Sequence, residues 1–219
     1  MSKIKVCHLY YDLMNLYGEV GNINAIVHSL KEEKIKVNVD NLTINDQIDF
    51  SKYDLIYIGC GTELNRNIVL KDILRYKSEI FKFIESNGFV IATGNSLELF
   101  LNSINDNKGL GIFDYNAKDI DKRIVGDLVV NVDFVKEEVL GFRNQGSNIT
   151  DNITDGILNY KNFYGTYLLG PILVRNPILH EYIIKSLIKE KNKKFKFKKL
   201  DLSLDINAKE VYMSKYHSK

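Results

Sequence analysis

The chain lacks the features that mark disulfide-rich, secreted and membrane-spanning proteins. It contains two cysteines, no tryptophan and no apolar run long enough to span a membrane. Cys7 and Cys60 each lie in an apolar, strand-like stretch, so we expect reduced thiols and no disulfide framework. The first residues show no signal-peptide pattern and begin a strand at Ile4, which predicts a cytoplasmic protein.

Net charge is also small. Thirty basic and 28 acidic side chains leave a formal charge of +2, so nothing global indicates nucleic acid or a membrane as a partner. The sequence has neither metal-ligand spacing nor a Walker A pattern. We therefore predict no bound metal, no nucleotide and no other cofactor.

One segment departs from this balance. Residues 189–199 are rich in lysine, and Phe195 and Phe197 alternate with the lysines. The pattern indicates either an RNA contact or one face of a solvated edge strand. Acidic residues follow from Asp201 onward, and lysines are common on exposed edges, so we favour the edge strand.

Length and composition predict one α/β domain over residues 1–219, because 45% hydrophobic and 26% charged residues are ordinary for a globular chain of this size. Strand-like stretches in the first half are 4–11, 35–39, 54–58 and 89–92. One helix between them has an apolar face from Ile23 to Leu30 with Asn22 as its cap, and another runs from Val69 to Ile84. This alternation predicts a flavodoxin-like, doubly wound, mostly parallel sheet.

The second half is richer in strands. Residues 127–132 alternate, 139–142 form a short apolar stretch, and 160–164 form another strand-like stretch. Asn176 and Pro177 then mark the start of a helix with an apolar face at Leu179, Ile183 and Leu187.

The strand at 89–92 leads into a sharp turn and a predicted helix. This shape is typical of a nucleophile elbow, which lifts one side chain above the carboxyl edge of a sheet. Gly94, in this turn, has no side chain to offer. Thr93–Ser96 is then either a tight βα turn or a turn that offers Ser96 as a substitute nucleophile, and we favour the simple turn.

Two blocks of residues resemble a known family. Gly165–Pro171 resembles the motif G-T-Y-L-H-G-P, and Asp12–Ile23 resembles D-x-x-N-L-Y-x-D-x-G-N-I. Both are motifs of class I glutamine amidotransferases, in the CobB/CobQ-like branch that includes GatD, a subunit of lipid II isoglutaminyl synthase. The resemblance covers nearly the whole chain and implies the class I amidotransferase fold.

The departures from this family fall on its chemistry. The resemblance places the family's catalytic cysteine at Gly94 and its histidine at Leu169, so it implies that no catalytic residue is intact. It places the glycine-rich oxyanion loop at Gly59, Cys60 and Gly61, with Asn95 beside it. Cys60 itself is either a reactive thiol or a small buried hydrophobe, and we favour the inert alternative.

The resemblance also implies a binding role and partners. Arg123 matches an arginine that binds substrate glutamine in the family; without the resemblance it would be read as a surface arginine. The family's glutaminase passes ammonia to MurT, a Mur-ligase-like subunit that amidates the peptidoglycan stem peptide, so we expect a heterodimer with such a ligase.

Three functions follow from these observations. The first is a glutaminase-inactive subunit that stabilises or regulates its ligase. The second is a glutamine-binding sensor that uses Arg123, and the third is an active glutaminase with a non-standard site.

Overall fold

We determined the architecture from a computed structural model that describes residues 3–149, 156–198 and 201–217. These residues form ten strands and six α-helices. The strands are β1 (Lys3–Leu9), β2 (Lys36–Leu42), β3 (Leu55–Ile58), β4 (Phe89–Thr93), β5 (Leu101–Ile104), β6 (Asn107–Lys108), β7 (Phe113–Val132), β8 (Val135–Ile149), β9 (Ile157–Tyr160) and β10 (Phe163–Thr166). The helices are α1 (Val20–Glu32), α2 (Glu63–Ile73), α3 (Lys77–Glu85), α4 (Ile172–Arg175), α5 (Pro177–Lys191) and α6 (Ser203–Tyr216).

The central sheet has the strand order β2-β1-β3-β4-β10-β9. All neighbours in it are parallel except β9, which pairs antiparallel with β10 at one edge. The order places β1 between β2 and β3, which is the arrangement of a flavodoxin-like doubly wound sheet. The predicted fold class is confirmed.

Side chains of successive residues in each central strand point to opposite faces, and both faces are covered. Leu55 and Tyr57 pack into the apolar cluster beneath α1 and α5, whereas Ile56 and Ile58 pack into the cluster beneath α2 and α3. This two-sided burial explains why β3 and the first four residues of β4 are apolar.

A second sheet has the order β6-β5-β7-β8 and contains more strand residues than the sequence predicts. The sequence predicts only 127–132 and 139–142 as strands here, yet β7 and β8 form a hairpin of 20 and 15 residues. The mostly polar residues 118–123 give no apolar alternation. Of these residues, Lys118 and Asp119 pair with Asn148 and Ser147 of β8, and the register then shifts before Ile124. An antiparallel bridge between Phe142 and Leu169 connects this sheet to the segment after β10.

Three local predictions were wrong. Asn22 does not cap a helix: α1 begins at Val20, and Asn22 lies buried inside it, where its Nδ2 donates to the Tyr57 hydroxyl and its Oδ1 accepts from the Leu173 N–H. The helix predicted from Val69 to Ile84 is interrupted by a 3₁₀ turn at Leu74–Tyr76. The elbow is followed by a fully buried 3₁₀ segment, Gly94–Phe100, rather than an α-helix.

The lysine-rich segment is not an edge strand. Residues 189–191 end α5, residues 192–198 form a turn and an irregular stretch, and residue 199 lies outside the described part of the chain. Phe195 and Phe197 pack against the apolar core beneath α1 and α5, so they hold the segment to the body without strand pairing. No helix among the described residues is both long and apolar enough to cross a membrane.

Candidate functional site

The candidate site lies where β3, β4 and β10 end. In a parallel sheet these carboxyl ends share one edge, and the loops that leave them meet there. The loops begin at Gly59, Gly94 and Tyr167, and the segment from Tyr10 to Glu19, which follows β1, packs against them. The sheet thus brings together Gly94, Leu169 and the Gly59–Gly61 loop, which the sequence alone only marks as separate motifs.

The two motif blocks that carry the resemblance also touch. A Cβ built on Gly21 would lie 2.6 Å from Cγ of Pro171, so only glycine allows α1 and the loop after β10 to approach this closely. The approach joins the first motif to the second at the rim of the site.

Gly94 retains the backbone of a nucleophile elbow without a side chain. Its φ is +63°, in the left-handed region that glycine adopts without strain. A Cβ built at this position would lie 2.5 Å from Sγ of Cys60 and 3.0 Å from Cδ2 of Leu169. The space that a residue-94 side chain would need is therefore already filled.

Cys60 is the residue that fills most of this space, and it is 4% exposed. Burial raises the pKa of its thiol to about 12, an effect that the N–H of Asn95 opposes and nearby carboxylates such as Glu19 reinforce. At neutral pH the sulfur is therefore a thiol rather than the thiolate that attacks an amide. This geometry supports an inert cysteine.

Leu169 faces the same space from the loop after β10. It is 1% exposed, and its N–H and C=O both bond to the main chain of Phe142 at 2.8 and 3.1 Å. Its side chain provides apolar contact at the position where an imidazole would act as a base. Gly94, Cys60 and Leu169 therefore form a closed apolar contact and not a nucleophile–base pair.

The backbone groups of the Gly59–Gly61 loop, which could supply oxyanion donors, already hydrogen-bond to other protein groups. The N–H of Gly61 donates to Oδ1 of Asn95 at 3.1 Å, and Nδ2 of Asn95 donates back to the Gly61 carbonyl at 2.8 Å. The Cys60 carbonyl accepts from the Leu16 N–H at 2.9 Å. A tetrahedral oxyanion would have to displace Asn95 to reach the Gly61 donor.

Ser96 points away from this space. Its hydroxyl is fully buried and lies 2.9 Å from the carbonyls of both Ile58 and Thr93, either of which can accept its single proton. The hydroxyl therefore ties the elbow to the end of β3. Its position fits the simple turn that the sequence favoured.

Arg123 lies on β7 and contacts Glu63, the first residue of α2, and Asn144 of β8. Its Nη1 pairs with Oε1 of Glu63 at 2.6 Å, and its Nε and Nη2 donate to the side chain and carbonyl of Asn144 at 2.8 and 3.1 Å. Partial burial opposes ionisation of Glu63, but the hydrogen bond from Arg123, a backbone hydrogen bond and the charges of Arg123 and Arg66 together outweigh it and hold the pKa of this carboxyl below its usual value. A carboxylate ligand would have to compete with Glu63 for the guanidinium.

Sequence reasoning missed a buried ionic network next to the elbow. Arg66 and Glu98, both fully buried, pair at 2.6 Å. Glu98 also accepts hydrogen bonds from Ser147 and Tyr167, and Arg66 pairs with the more exposed Asp119 at 3.0 Å. The one signal in the sequence was an acidic residue in the otherwise apolar stretch 97–101.

A second buried carboxyl, Glu19, lies on the other side of the Gly59 loop. It accepts hydrogen bonds from the hydroxyls of Tyr57 and Thr93. Burial raises the pKa of Glu19 to about 7, and the two hydrogen bonds only partly oppose this. The sequence gave no indication of this burial, because Glu19 stands in a polar, glycine-bearing loop.

Three of the four histidines make contacts elsewhere in the fold. His8 lies buried on β1 with its ring edge-on to Tyr57 at 5.6 Å, and Nε2 of His180 lies 3.3 Å from the hydroxyl of Ser29, where α5 packs against α1. Burial lowers the pKa of His180 to about 4, so it is a neutral packing residue. His217 lies near Asp127 at the end of α6.

Comparison with known proteins finds relatives whose sequence similarity covers most of the chain. The chain is 28% identical to the GatD subunit of the glutamine-hydrolysing lipid II isoglutaminyl synthase of Staphylococcus aureus, over 98% of this chain and 97% of the relative. It is 27% identical to the subunit of the same name in Streptococcus pneumoniae, over 86% of this chain and 82% of the relative. No protein-family profile matches it.

Among solved structures, a glutamine amidotransferase from Thermotoga maritima superposes with a TM-score of 0.51. The alignment covers 97% of this chain and 92% of that chain at 12% sequence identity. At this identity the likeness concerns the fold, which is that of a class I glutamine amidotransferase.

Proposed function

This chain is a homologue of the GatD subunits of lipid II isoglutaminyl synthase, and we propose that it is a GatD-like subunit for lipid II amidation that does not itself hydrolyse glutamine. The homology spans nearly the whole chain, which supports a shared role in the synthase. The absence of glutaminase activity is supported by one observation: Sγ of Cys60 occupies the space of a residue-94 side chain.

Chemistry at this site would need a nucleophile, a base and oxyanion donors. Position 94 has no side chain, Leu169 has no proton to exchange, and the Gly61 N–H is bonded to Asn95. Loss of a nucleophile alone removes almost all the rate enhancement of such a unit, so the other losses add little further penalty. The chain then acts by binding its partner and not by producing ammonia.

We propose that this partner is a Mur-ligase-like subunit of the MurT kind, which uses free ammonia. The relatives are named as subunits of a synthase, which supports a heteromeric role. A cytoplasmic location fits the free, unpaired state of Cys7 and Cys60.

The test is to co-express the chain with the Mur-ligase-like protein of its host and assay lipid II amidation. We expect co-purification, amidation with ammonium, and neither amidation nor glutamate release with glutamine. The S. aureus GatD relative, paired with its own ligase, is the positive control for glutamine use. Glutamate release that Cys60→Ala or Ser96→Ala abolishes would instead establish an active glutaminase with a non-standard site.

Arg123 supports a second function, glutamine sensing. Its guanidinium side chain is 43% exposed and lies beside Glu63, the first residue of α2. Isothermal titration with glutamine tests this function: heat that disappears in Arg123→Ala identifies a sensor. We favour the structural role, because Glu63 already occupies the guanidinium.

A further inference from the structure

The lysine-rich segment after α5 remains unexplained by the proposed function. Residues 189–198 contain six lysines and one glutamate, whereas the whole chain carries a net charge of only +2. The segment runs from the end of α5 to the end of α1, where Nζ of Lys198 donates to the Glu32 carbonyl at 2.8 Å and the Lys198 N–H donates to Glu33 at 3.3 Å.

Further lysines lie at the same edge of the sheet. Lys34 follows α1, and Lys36 begins β2 directly beside Lys3 at the start of β1. We call the exposed set formed by Lys34, Lys36, Lys193, Lys194, Lys196 and Lys198 the lysine edge. It lies at the amino ends of the strands, opposite the candidate site.

The positive charge of this edge is largely uncompensated. Among the described residues, Lys34, Lys36, Lys193, Lys194 and Lys196 have no ion-pair partner. The acidic groups near the edge are few: Glu32 and Glu190 are exposed, Glu33 is buried, and the half-buried Asp54 already pairs with Lys191. The excess of lysine attracts a polyanionic surface.

Phe195 and Phe197 distinguish between two polyanions, single-stranded RNA and an anionic bilayer. The rings of Phe195 and Phe197 pack edge to face at 5.1 Å and are half-buried against the core. Nζ of Lys185 and of Lys189 each lies 5.9 Å from the Phe197 ring centre. These rings are occupied by protein contacts and do not form a stacking platform for bases, as single-stranded RNA requires.

We propose that the lysine edge docks the protein on an anionic phospholipid bilayer. A bilayer presents a broad negative surface that exposed lysines bind without a shaped pocket. Docking at the amino edge leaves the carboxyl edge, with its Gly59–Gly61 loop, facing away from the lipid and open to a partner. This inference goes beyond the proposed function, because the charge distribution alone supports it. A lipid substrate for the proposed function is consistent with docking on a bilayer.

The experiment measures sedimentation of the full chain alone with phosphatidylcholine vesicles, with and without phosphatidylglycerol. We expect binding only to the anionic vesicles and its loss in high salt. The triple variant Lys193→Glu/Lys194→Glu/Lys196→Glu should bind at least about 100-fold more weakly, since each lysine near a bilayer strengthens binding about fivefold.

The control variant Lys71→Glu/Lys108→Glu/Lys118→Glu carries the same change of charge on exposed lysines of other elements. It should retain most of the binding. Failure of the wild-type chain to bind anionic vesicles overturns the proposal, and so does an equal loss in the control or binding to single-stranded RNA without vesicle binding. The assay needs neither glutamine nor a ligase, so its failure is distinct from failure of the proposed function.

Discussion

The sulfur of Cys60 lies 2.5 Å from the point where the Cβ of a side chain at position 94 would sit. The two residues follow neighbouring parallel strands, β3 and β4, and are 34 positions apart in the chain. The identities of residues 94 and 60 are therefore coupled. The Cys60 side chain fits only because Gly94 has no side chain.

We therefore expect Gly94→Cys to lower the free energy of unfolding by about 2–5 kcal/mol. A side chain in the left-handed region costs roughly 1–2 kcal/mol, and overpacking a filled core costs about 1–3 kcal/mol. Urea unfolding measures the loss.

The same change combined with Cys60→Gly should recover the packing part, so a double-mutant cycle should give a coupling of about 1–3 kcal/mol. Gly156→Cys is the matched control, because a Cβ there meets nothing within 4 Å. A coupling near zero would show that Cys60 moves aside without cost.

Cys60 should resist alkylation in the native protein. Its pKa of about 12 leaves very little thiolate at pH 7.5, and its burial blocks the reagent. Iodoacetamide labelling followed by mass spectrometry should find Cys60 unmodified in the folded protein and modified after denaturation. Cys7, which is also fully buried, is the internal control. Rapid native labelling confined to Cys60 would contradict an inert thiol.

Glu19 should make the protein less stable as pH rises from about 4.5 to 7. The folded protein keeps a proton on this buried carboxyl up to a pKa of about 7, whereas the unfolded chain releases it near the ordinary glutamate pKa of 4.5. The folded state binds more protons in this window, so the free energy of unfolding falls by roughly 3 kcal/mol across it. Glu19→Gln should remove that fall.

Unfolding of both proteins at pH 4.5 and pH 8 provides the measurement. Glu85→Gln is a control of opposite sign, because the hydrogen bond from Lys161 lowers the pKa of the exposed Glu85 carboxyl. If Glu19→Gln has the same pH dependence as wild type, the Glu19 carboxyl is not protonated in the fold.

Truncating the buried Glu98, which pairs with Arg66, should destabilise the fold far more than truncating the exposed Asp119. Glu98→Ala leaves a buried guanidinium short of a carboxylate and removes the acceptor for Ser147 and Tyr167, which should cost about 3–5 kcal/mol. Asp119→Ala should cost at most about 1 kcal/mol, because the Asp119 side chain is 42% exposed. Thermal or urea unfolding of the two variants compares the costs directly, and equal losses would refute the ranking.

Much of the fold follows from local pattern. The continuous apolar stretches at residues 55–58 and 89–92 are strands because only a two-sided core accepts such runs, and the helix after Pro177 begins where its turn signal lies. The prediction failed where a partner decides the structure. The start of β7 becomes a strand by pairing first with β5 and then with β8, and the lysine-rich segment is held by the burial of Phe195 and Phe197 instead of by strand pairing.

The sequence by itself determined that neither a sulfur at position 94 nor an imidazole at position 169 is present, because residue identity sets which atoms exist. Only the tertiary structure decided what replaced them. Strand order placed Cys60 against Gly94, and loop packing turned Asn95 onto Gly61. Contacts between residues more than 30 positions apart depend on how strands and loops meet in space, which no local pattern specifies.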